Sequence, residues 1–120
     1  MEILDRLKEF IDDADSRPLC SNEWIKDSKM QVYVRKSFRI YNDDSQMWPT
    51  LDIANIQVKK KFRDHGHFTQ FLFAAHELHP WRATYIENTH PRLGRYLEKL
   101  GWTRYQHLPT DLCYYKEKQI

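Results

Sequence analysis

One stretch, Val58 to Leu72, constrains the fold of this 120-residue chain more than any other. The residues that lead into it, from Thr50 to Val58, are rich in Ile and Val, as β-strands are. The residues that follow carry apolar side chains at the spacing of one helix face: Phe68, Phe71, Leu72 and Ala75. Gly66, one of only three glycines, lies between the two patterns. The stretch therefore predicts a strand, a glycine-containing turn and the start of a helix.

Such a turn can bind an anion. The first N–H groups of a helix have no partner inside the helix and point at whatever lies in front of them. Four basic side chains surround the same turn: Lys59, Lys60, Lys61 and Arg63. We therefore predict a phosphate-bearing ligand at this position, although a basic loop of this kind also suits a solvated surface or a nucleic-acid contact.

The pattern Val58-x-x-x-x-Arg63-x-x-Gly66 before an apolar helix resembles motif A of the GNAT superfamily of acyl-CoA N-acyltransferases. The family signature is V-x-x-x-x-[RQ]-x-x-G-x-[GA], and its loop holds the pyrophosphate of coenzyme A. The resemblance implies that this role falls to Arg63, Asp64, His65, Gly66, His67 and Phe68. Phe68 replaces the usual Gly or Ala, and we expect its ring to crowd the pyrophosphate.

The chain before this motif predicts two helices and a long strand. Met1 to Ile11 carries an amphipathic helix pattern, and Ser21 is a suitable cap for a second short helix through Asp27 that buries Trp24 and Ile25. Met30 to Tyr41 alternates as a strand does, either as one strand or as two segments with a bulge. A turn at Asn42 to Ser45 follows.

The chain after this motif predicts a helix to about His79, a strand, a further helix and two strands. The strand is Ala83 to Glu87, and Asn88 or Thr89 is the expected cap of the next helix, with Pro91 in its first turn. The expected buried stripe of that helix is Leu93, Tyr96, Leu97 and Leu100, and Gly101 ends it. The last two strands are Trp102 to His107 and Leu112 to Lys116.

This half of the chain extends the resemblance. Asn88 followed by the run from Tyr96 to Trp102 is similar to the GNAT pattern of a strand-ending asparagine and a helix ending Y-x-K-x-G-F. The resemblance implies an α/β (α+β) fold: a single GNAT-like domain over residues 1–120, with a mixed central sheet flanked by helices and without the usual first strand. The chain also resembles the short GNAT-type proteins common in phage genomes.

The resemblance assigns further roles. Main chain at Ile56 and Val58 corresponds to the edge that pairs with the pantetheine amides of coenzyme A, and Asn88 either contacts the pantetheine arm or only caps a helix. Asp52, on the strand feeding the turn, is the candidate general base, although a strand-end surface aspartate would look the same. Asn55 is an alternative that would position a water.

The position of the general acid matches the family pattern less well than the phosphate turn does. Many GNAT enzymes place a tyrosine four residues before the glycine that ends this helix, and Leu97 occupies that position here. Tyr96 is adjacent, but one residue turns a side chain by about 100° around a helix. Tyr96 is therefore either the acid or a core aromatic.

Composition limits the remaining choices. The net charge of +2 gives no general case for nucleic-acid or membrane binding. With two cysteines, no secretory leader and no long apolar run, we expect free thiols and a cytoplasmic protein. The pairs His65/His67 and His76/His79 are too far apart to share one tetrahedral ion, so we expect no metal.

Three functions are consistent with these residues. The first is acetyl transfer from acetyl-CoA, as co-substrate, to a primary amine on an unidentified small molecule or protein. The second is a GNAT-fold module that has lost catalysis and binds a protein partner. The third is nucleic-acid binding through Lys59 to Arg63 together with Arg35, Arg39 and nearby aromatic side chains. An oligomer built on an edge strand and on exposed Trp48 and Trp81 stays open.

Overall fold

The computed structural model describes residues 2–17, 21–41, 45–87, 89–105 and 112–118. Cys20, Asn88, most of the predicted turn after Tyr41 and the end of the predicted strand from Trp102 to His107 lie outside these residues. The first element is helix α1, Glu2–Asp15, which confirms the predicted helix and continues past Ile11. Its buried side chains form one stripe: Ile3, Leu7, Phe10, Ile11 and Ala14.

The second predicted helix is wrong, because these residues form strand β1, Asn22–Lys26. Ile25 is buried opposite Val32 of the next strand, whereas Trp24 is 44% exposed and stacks beside Tyr33. Alternate side chains therefore point to opposite faces, as pairing in a sheet requires. Pairing with a neighbouring strand outweighs the helix cap that Ser21 offers.

Strands β2, Met30–Arg39, and β3, Trp48–Val58, form a long antiparallel pair. Their register shifts between Tyr33 and Val34, which pair with Asn55 and Ile53. Ala54 is left without a partner on β2, so β3 carries a β-bulge at this residue. The predicted strand over Met30 to Tyr41 is thus one strand, and the extra residue lies on its partner.

The remaining elements complete a six-stranded mixed sheet. They are helix α2, His67–Leu78; strand β4, Ala83–Ile86; helix α3, Pro91–Lys99; strand β5, Thr103–Arg104; and strand β6, Tyr114–Glu117. The strand order is β1-β2-β3-β4-β6-β5. Only β3 and β4 are parallel, and all other neighbours are antiparallel.

All three helices pack on one face of this sheet, which we call the helix face. Their apolar side chains form a continuous core with Leu51, Ile53 and Ile86 of the central strands. On the opposite face, which we call the bare face, the described residues include no helix. Large side chains cover the bare face instead, and a second cluster there contains Tyr41, Ala83, Tyr85, Cys113 and Tyr115.

Helix α3 differs from its prediction in two respects. Its cap is His90, whose Nδ1 accepts a hydrogen bond from the N–H of Arg92 at 3.1 Å. Leu97 is fully buried, but Tyr96 and Leu100 are 43% and 40% exposed, so the predicted stripe was too wide. Only one side of this short helix touches the sheet, and Gly101 ends it with a φ of 91°, as expected.

Candidate active site

Strands β3 and β4 separate in the middle of the sheet. Their parallel pairing runs from Thr50 opposite Ala83 to Ile53 opposite Ile86, and a last bond joins Glu87 N–H to the Ile53 carbonyl at 3.0 Å. Beyond it β3 continues to Val58, and no strand in the described part of the chain pairs with that side of it. We call this opening the fork. The bulge at Ala54 lies at its base.

The predicted phosphate turn follows β3 directly. A short 3₁₀ helix, Lys60–Phe62, leads to Asp64 and Gly66, which both have left-handed backbone with φ of 64° and 78°. Helix α2 begins at His67, with Gly66 as its cap. A Cβ atom added at Gly66 would meet nothing within 4 Å, so the space beside this residue, immediately before the first helical N–H groups, is open.

The side chains of the turn carry positive charge. Lys59, Lys60, Lys61 and Arg63 are exposed, as are Asp64 and His65, while His67 is half-buried. The Arg63 Nε donates a hydrogen bond to the Val58 carbonyl at 2.9 Å, which holds the turn against the end of β3. This arrangement favours an anion, because the helix N-terminus and the cations attract the same charge.

Phe68 is half-buried and packs against the core of the helix face, with its ring centroid 6.3 Å from that of Phe71. The crowding of a pyrophosphate by this ring stays a prediction. Its N–H belongs to the first turn of α2 and has no partner within the helix.

A cluster of charged side chains lies on the bare face beside the fork. Asp52 is fully buried, and its carboxylate accepts hydrogen bonds from Arg35, Ser37 and Arg39. The second carboxylate of the cluster is Glu87, which pairs with Arg35 at 3.0 Å and whose side chain is 29% exposed. One arginine therefore joins a buried carboxylate to one that reaches solvent.

The arginines of the cluster remain charged. Burial lowers the pKa of Arg35 and Arg39, but their hydrogen bonds to Asp52 and its negative charge outweigh this effect and raise both above the usual range. The Arg39 guanidinium also lies 3.6 Å from the ring centroid of Tyr85. Burial raises the pKa of Tyr85 above its usual range, so its hydroxyl stays protonated at neutral pH.

The structure brings some of the predicted site residues together and separates others. Ile56 and Val58 lie on β3 beyond the fork, next to the phosphate turn, and Asn55 is exposed there. Tyr96 is on the exposed side of α3, which packs on the helix face, whereas Asp52 faces the bare face. No hydrogen bond within the described residues joins these two.

The sequence predicted neither the pairing of Arg35 and Arg39 with Asp52 nor any role for Glu87. Arg35 lies on β2 among alternating polar side chains, which marked a face of the strand but not its partners. Glu87 comes at the end of β4, and only the strand pairing places it beside the fork. Trp81, expected to be exposed for a dimer contact, is 5% exposed and packs edge-on against Phe10, so that expectation was wrong.

The described residues contain no group of three or more His, Cys, Asp or Glu side chains placed to hold a metal ion. None of the described helices is long and apolar enough to cross a membrane. A groove of about 860 Å³ lies between α1 and the ends of β1, β2 and β3, and it borders the turn at Arg63 from the side opposite to the fork.

No protein-family model and no curated protein sequence matches the chain. Solved structures match it in fold. One is a mutant AtaT toxin bound to the C-terminus of the antitoxin AtaR and acetyl-CoA, with a TM-score of 0.50 and 8% identity over 74% of this chain. Another is the KacTA–DNA complex, with a TM-score of 0.51 and 10% identity over 94% of this chain and 79% of that one.

The chain spans 58% of the length of the AtaT chain that it matches. At these identities the likeness shows the fold alone. The fold prediction is thereby confirmed: the chain has the mixed α+β sheet, flanked by helices, that its resemblance to the GNAT superfamily implied.

Proposed function

We propose that this chain is an N-acetyltransferase that moves an acetyl group from acetyl-CoA directly to a primary amine. One observation carries the proposal: the open left-handed turn at Gly66 directly follows the strand whose edge opens at the fork. A ligand with a phosphate at one end and a long arm fits this pair of features. In support, one protein of the same fold was solved with acetyl-CoA.

The phosphate end would be held by the turn. The N–H groups at the start of α2 have no partner within the helix, the space beside Gly66 is open, and four exposed cations lie in the residues just before it. A diphosphate would therefore gain both hydrogen bonds and charge neutralisation. The backbone at Gly66 is already in the left-handed form that only glycine adopts without strain, so the turn is preformed for the phosphate end of the ligand.

The arm would lie along β3. Amide groups of a pantetheine can pair with main chain only where a strand edge is open, and the edge of β3 that includes Ile56 and Val58 is open beyond Ile53. The contact from Asn88 stays a prediction, because this residue lies outside the described part of the chain. The thioester would then lie at the fork, beside Arg35 and Glu87.

The chemistry needs a proton acceptor for the incoming ammonium group and a proton for the departing thiolate. Acetyl-CoA supplies the activated acyl group, and the protein supplies position, charge and proton transfer. Asp52 as base and Tyr96 as acid stay predictions. Tyr96 has the exposure that an acid needs, whereas Asp52 is fully enclosed by its partners.

Calorimetric titration with coenzyme A and acetyl-CoA tests the proposal. We expect saturable binding by the natural chain and loss of binding in Gly66→Val, because the valine places a branched side chain in the open space beside the start of α2. Gly101→Val is a matched control: Gly101 also has positive φ and open space around it, but it ends α3. Both variants suffer the same backbone strain, so only the binding should differ.

Failure of the natural chain to bind either ligand at millimolar concentration would refute the proposal. Equal loss of binding in both glycine variants would assign the effect to strain rather than to the turn. If the natural chain binds neither ligand, the alternative is a GNAT-fold module that acts by binding a protein or nucleic-acid partner. Thiol release in an acceptor screen of small amines and peptides would then be absent as well.

A further inference from the structure

Two carboxylates share one arginine at the fork, and they differ in access. The Arg35 Nε donates to Asp52 at 2.7 Å, and its Nη2 donates to Glu87 at 3.0 Å. The Asp52 side chain is 0% exposed, and that of Glu87 is 29% exposed. Only one of them is accessible to an acceptor molecule.

Every lone pair of Asp52 is occupied. Its Oδ1 accepts from Ser37 Oγ at 2.7 Å and from Arg39 Nε at 3.2 Å, and its Oδ2 accepts from Arg35 Nε and from Arg39 Nη2 at 2.8 Å. A carboxylate has about four acceptor positions in all. To take a proton, Asp52 would have to give up one of these four bonds, three of which come from arginines. Its contacts suit an anchor for the two arginines.

Glu87 has the opposite properties. It is the first residue beyond the last paired residue of β4, and its N–H closes the sheet against Ile53. Its side chain lies on the bare face with Arg35, which is the only hydrogen-bond partner of its carboxylate among the described residues. A carboxylate at the fork, open to solvent and steadied by one arginine, can meet an amine and return a proton to water.

We infer that Glu87 is the residue that accepts the proton from the acceptor amine, and that Arg35 positions it while Asp52 holds Arg35. This inference rests on the proposed function. Glu87 removes one proton from the ammonium group, and the free amine attacks the thioester carbonyl. The new C–N bond forms as the C–S bond breaks. The second proton on nitrogen goes to the thiolate, so coenzyme A leaves as the thiol and Glu87 returns its proton to water.

Two acceptor amines that differ in their protonation state at neutral pH test the assignment of Glu87 as the proton acceptor. Butylamine is an ammonium ion at neutral pH and must lose a proton before it attacks, whereas hydroxylamine is already neutral. In Glu87→Gln we expect thiol release with butylamine to fall about 100-fold or more, the usual size of general-base catalysis, and release with hydroxylamine to fall much less. Glutamine can still accept from Arg35, so the affinity for acetyl-CoA measured by calorimetry should be unchanged.

Glu117→Gln is the matched control. Glu117 is also a half-buried glutamate on this sheet with an arginine partner, Arg82 at 3.5 Å, but it lies at the far end of β6. Its replacement should leave both rates unchanged.

Each outcome decides one question. If Glu87→Gln retains the butylamine rate, or loses both rates equally, the role of Glu87 is refuted while the transferase stands. If the natural chain does not bind acetyl-CoA, or binds it and releases no thiol with these two amines or with any amine or peptide of the acceptor screen, the proposed function fails and the role of Glu87 fails with it.

Discussion

Acid should destabilise this protein through two buried histidines. His79 Nδ1 accepts the N–H of Trp81 at 3.1 Å, so a neutral His79 carries its proton on Nε2, 2.6 Å from the Thr84 hydroxyl oxygen. The single Thr84 proton is then donated to His76 Nδ1 at 2.7 Å. Both rings are thus held in their neutral forms. A proton added to His79 would face the N–H of Trp81.

The size of the effect follows from the pKa values. Burial, and secondly the Lys118 ammonium group, lower the pKa of His76 to about 4 and that of His79 to about 3, against 6.5 when unfolded. Both pKa values are lower in the folded protein than in the unfolded chain. The stabilisation of the fold by the neutral histidines is therefore complete above pH 6.5, and it is lost progressively as the pH falls towards the pKa values of the folded protein. At pH 5 each histidine costs about 2 kcal/mol, at 1.36 kcal/mol per pKa unit. Together they remove about 4 kcal/mol, a large share of a typical stability.

Urea denaturation followed by tryptophan fluorescence at pH 7.5, 6 and 5 measures this loss. In His79→Gln the free energy of unfolding should decrease by about 2 kcal/mol less between pH 7.5 and pH 5 than in the natural chain, because one titrating group is gone. His65→Gln removes an exposed histidine of the turn and should leave the decrease nearly as in the natural chain. Superimposable pH profiles for the natural chain and His79→Gln would refute the assignment of the buried neutral pair.

Two further substitutions test packing and the charged cluster. Gly94→Ala should lower the free energy of unfolding by about 1 kcal/mol or more, because the new Cβ would lie 2.8 Å from the buried Tyr114 ring, and this clash outweighs the gain in helix propensity. Adding Tyr114→Leu to this variant should remove the penalty. A destabilisation that persists in the double variant would contradict the clash. Asp52→Asn should lower the free energy of unfolding by about 3 kcal/mol, because it removes the buried carboxylate that pairs with two half-buried arginines and leaves Arg35 with Glu87 alone. Unchanged stability with lost thiol release would instead make Asp52 the base.

The parts of the fold that depend on local sequence were predictable. The strand before the turn, the glycine within the turn and the helix after it each follow from residue types that are close together in the sequence. Val58 ends β3, and Gly66 caps α2. Helix α1 follows from its periodicity in the same way. By contrast, Trp24 and Ile25 are compatible with a helix or a strand, and only pairing with β2 decides between them.

The charged cluster was not predictable, because it depends on register. Strict alternation along β3 would place Asp52 and Ile56 on the same face of the sheet. The bulge at Ala54 shifts the later residues by one, so Ile56 packs on the helix face while Asp52 stays on the bare face with the arginines of β2. A single extra residue in a strand leaves no clear mark in composition or periodicity. The partners of Asp52 therefore emerge only from the folded sheet.

The two parts of the proposed function, ligand binding and proton transfer, depend on opposite faces of the sheet. Helix α2 packs on the helix face through Phe71, Leu72 and Ala75, which fixes the phosphate turn to the core. The proposed proton acceptor, Glu87, lies on the bare face and retains access to water. The fork is the opening between the two faces at the end of the β3–β4 pairing, and the bulge at Ala54 lies at the same level. A long thioester anchored on one side can therefore present its carbonyl to an amine on the other, which is why a sheet that separates at this point suits acyl transfer.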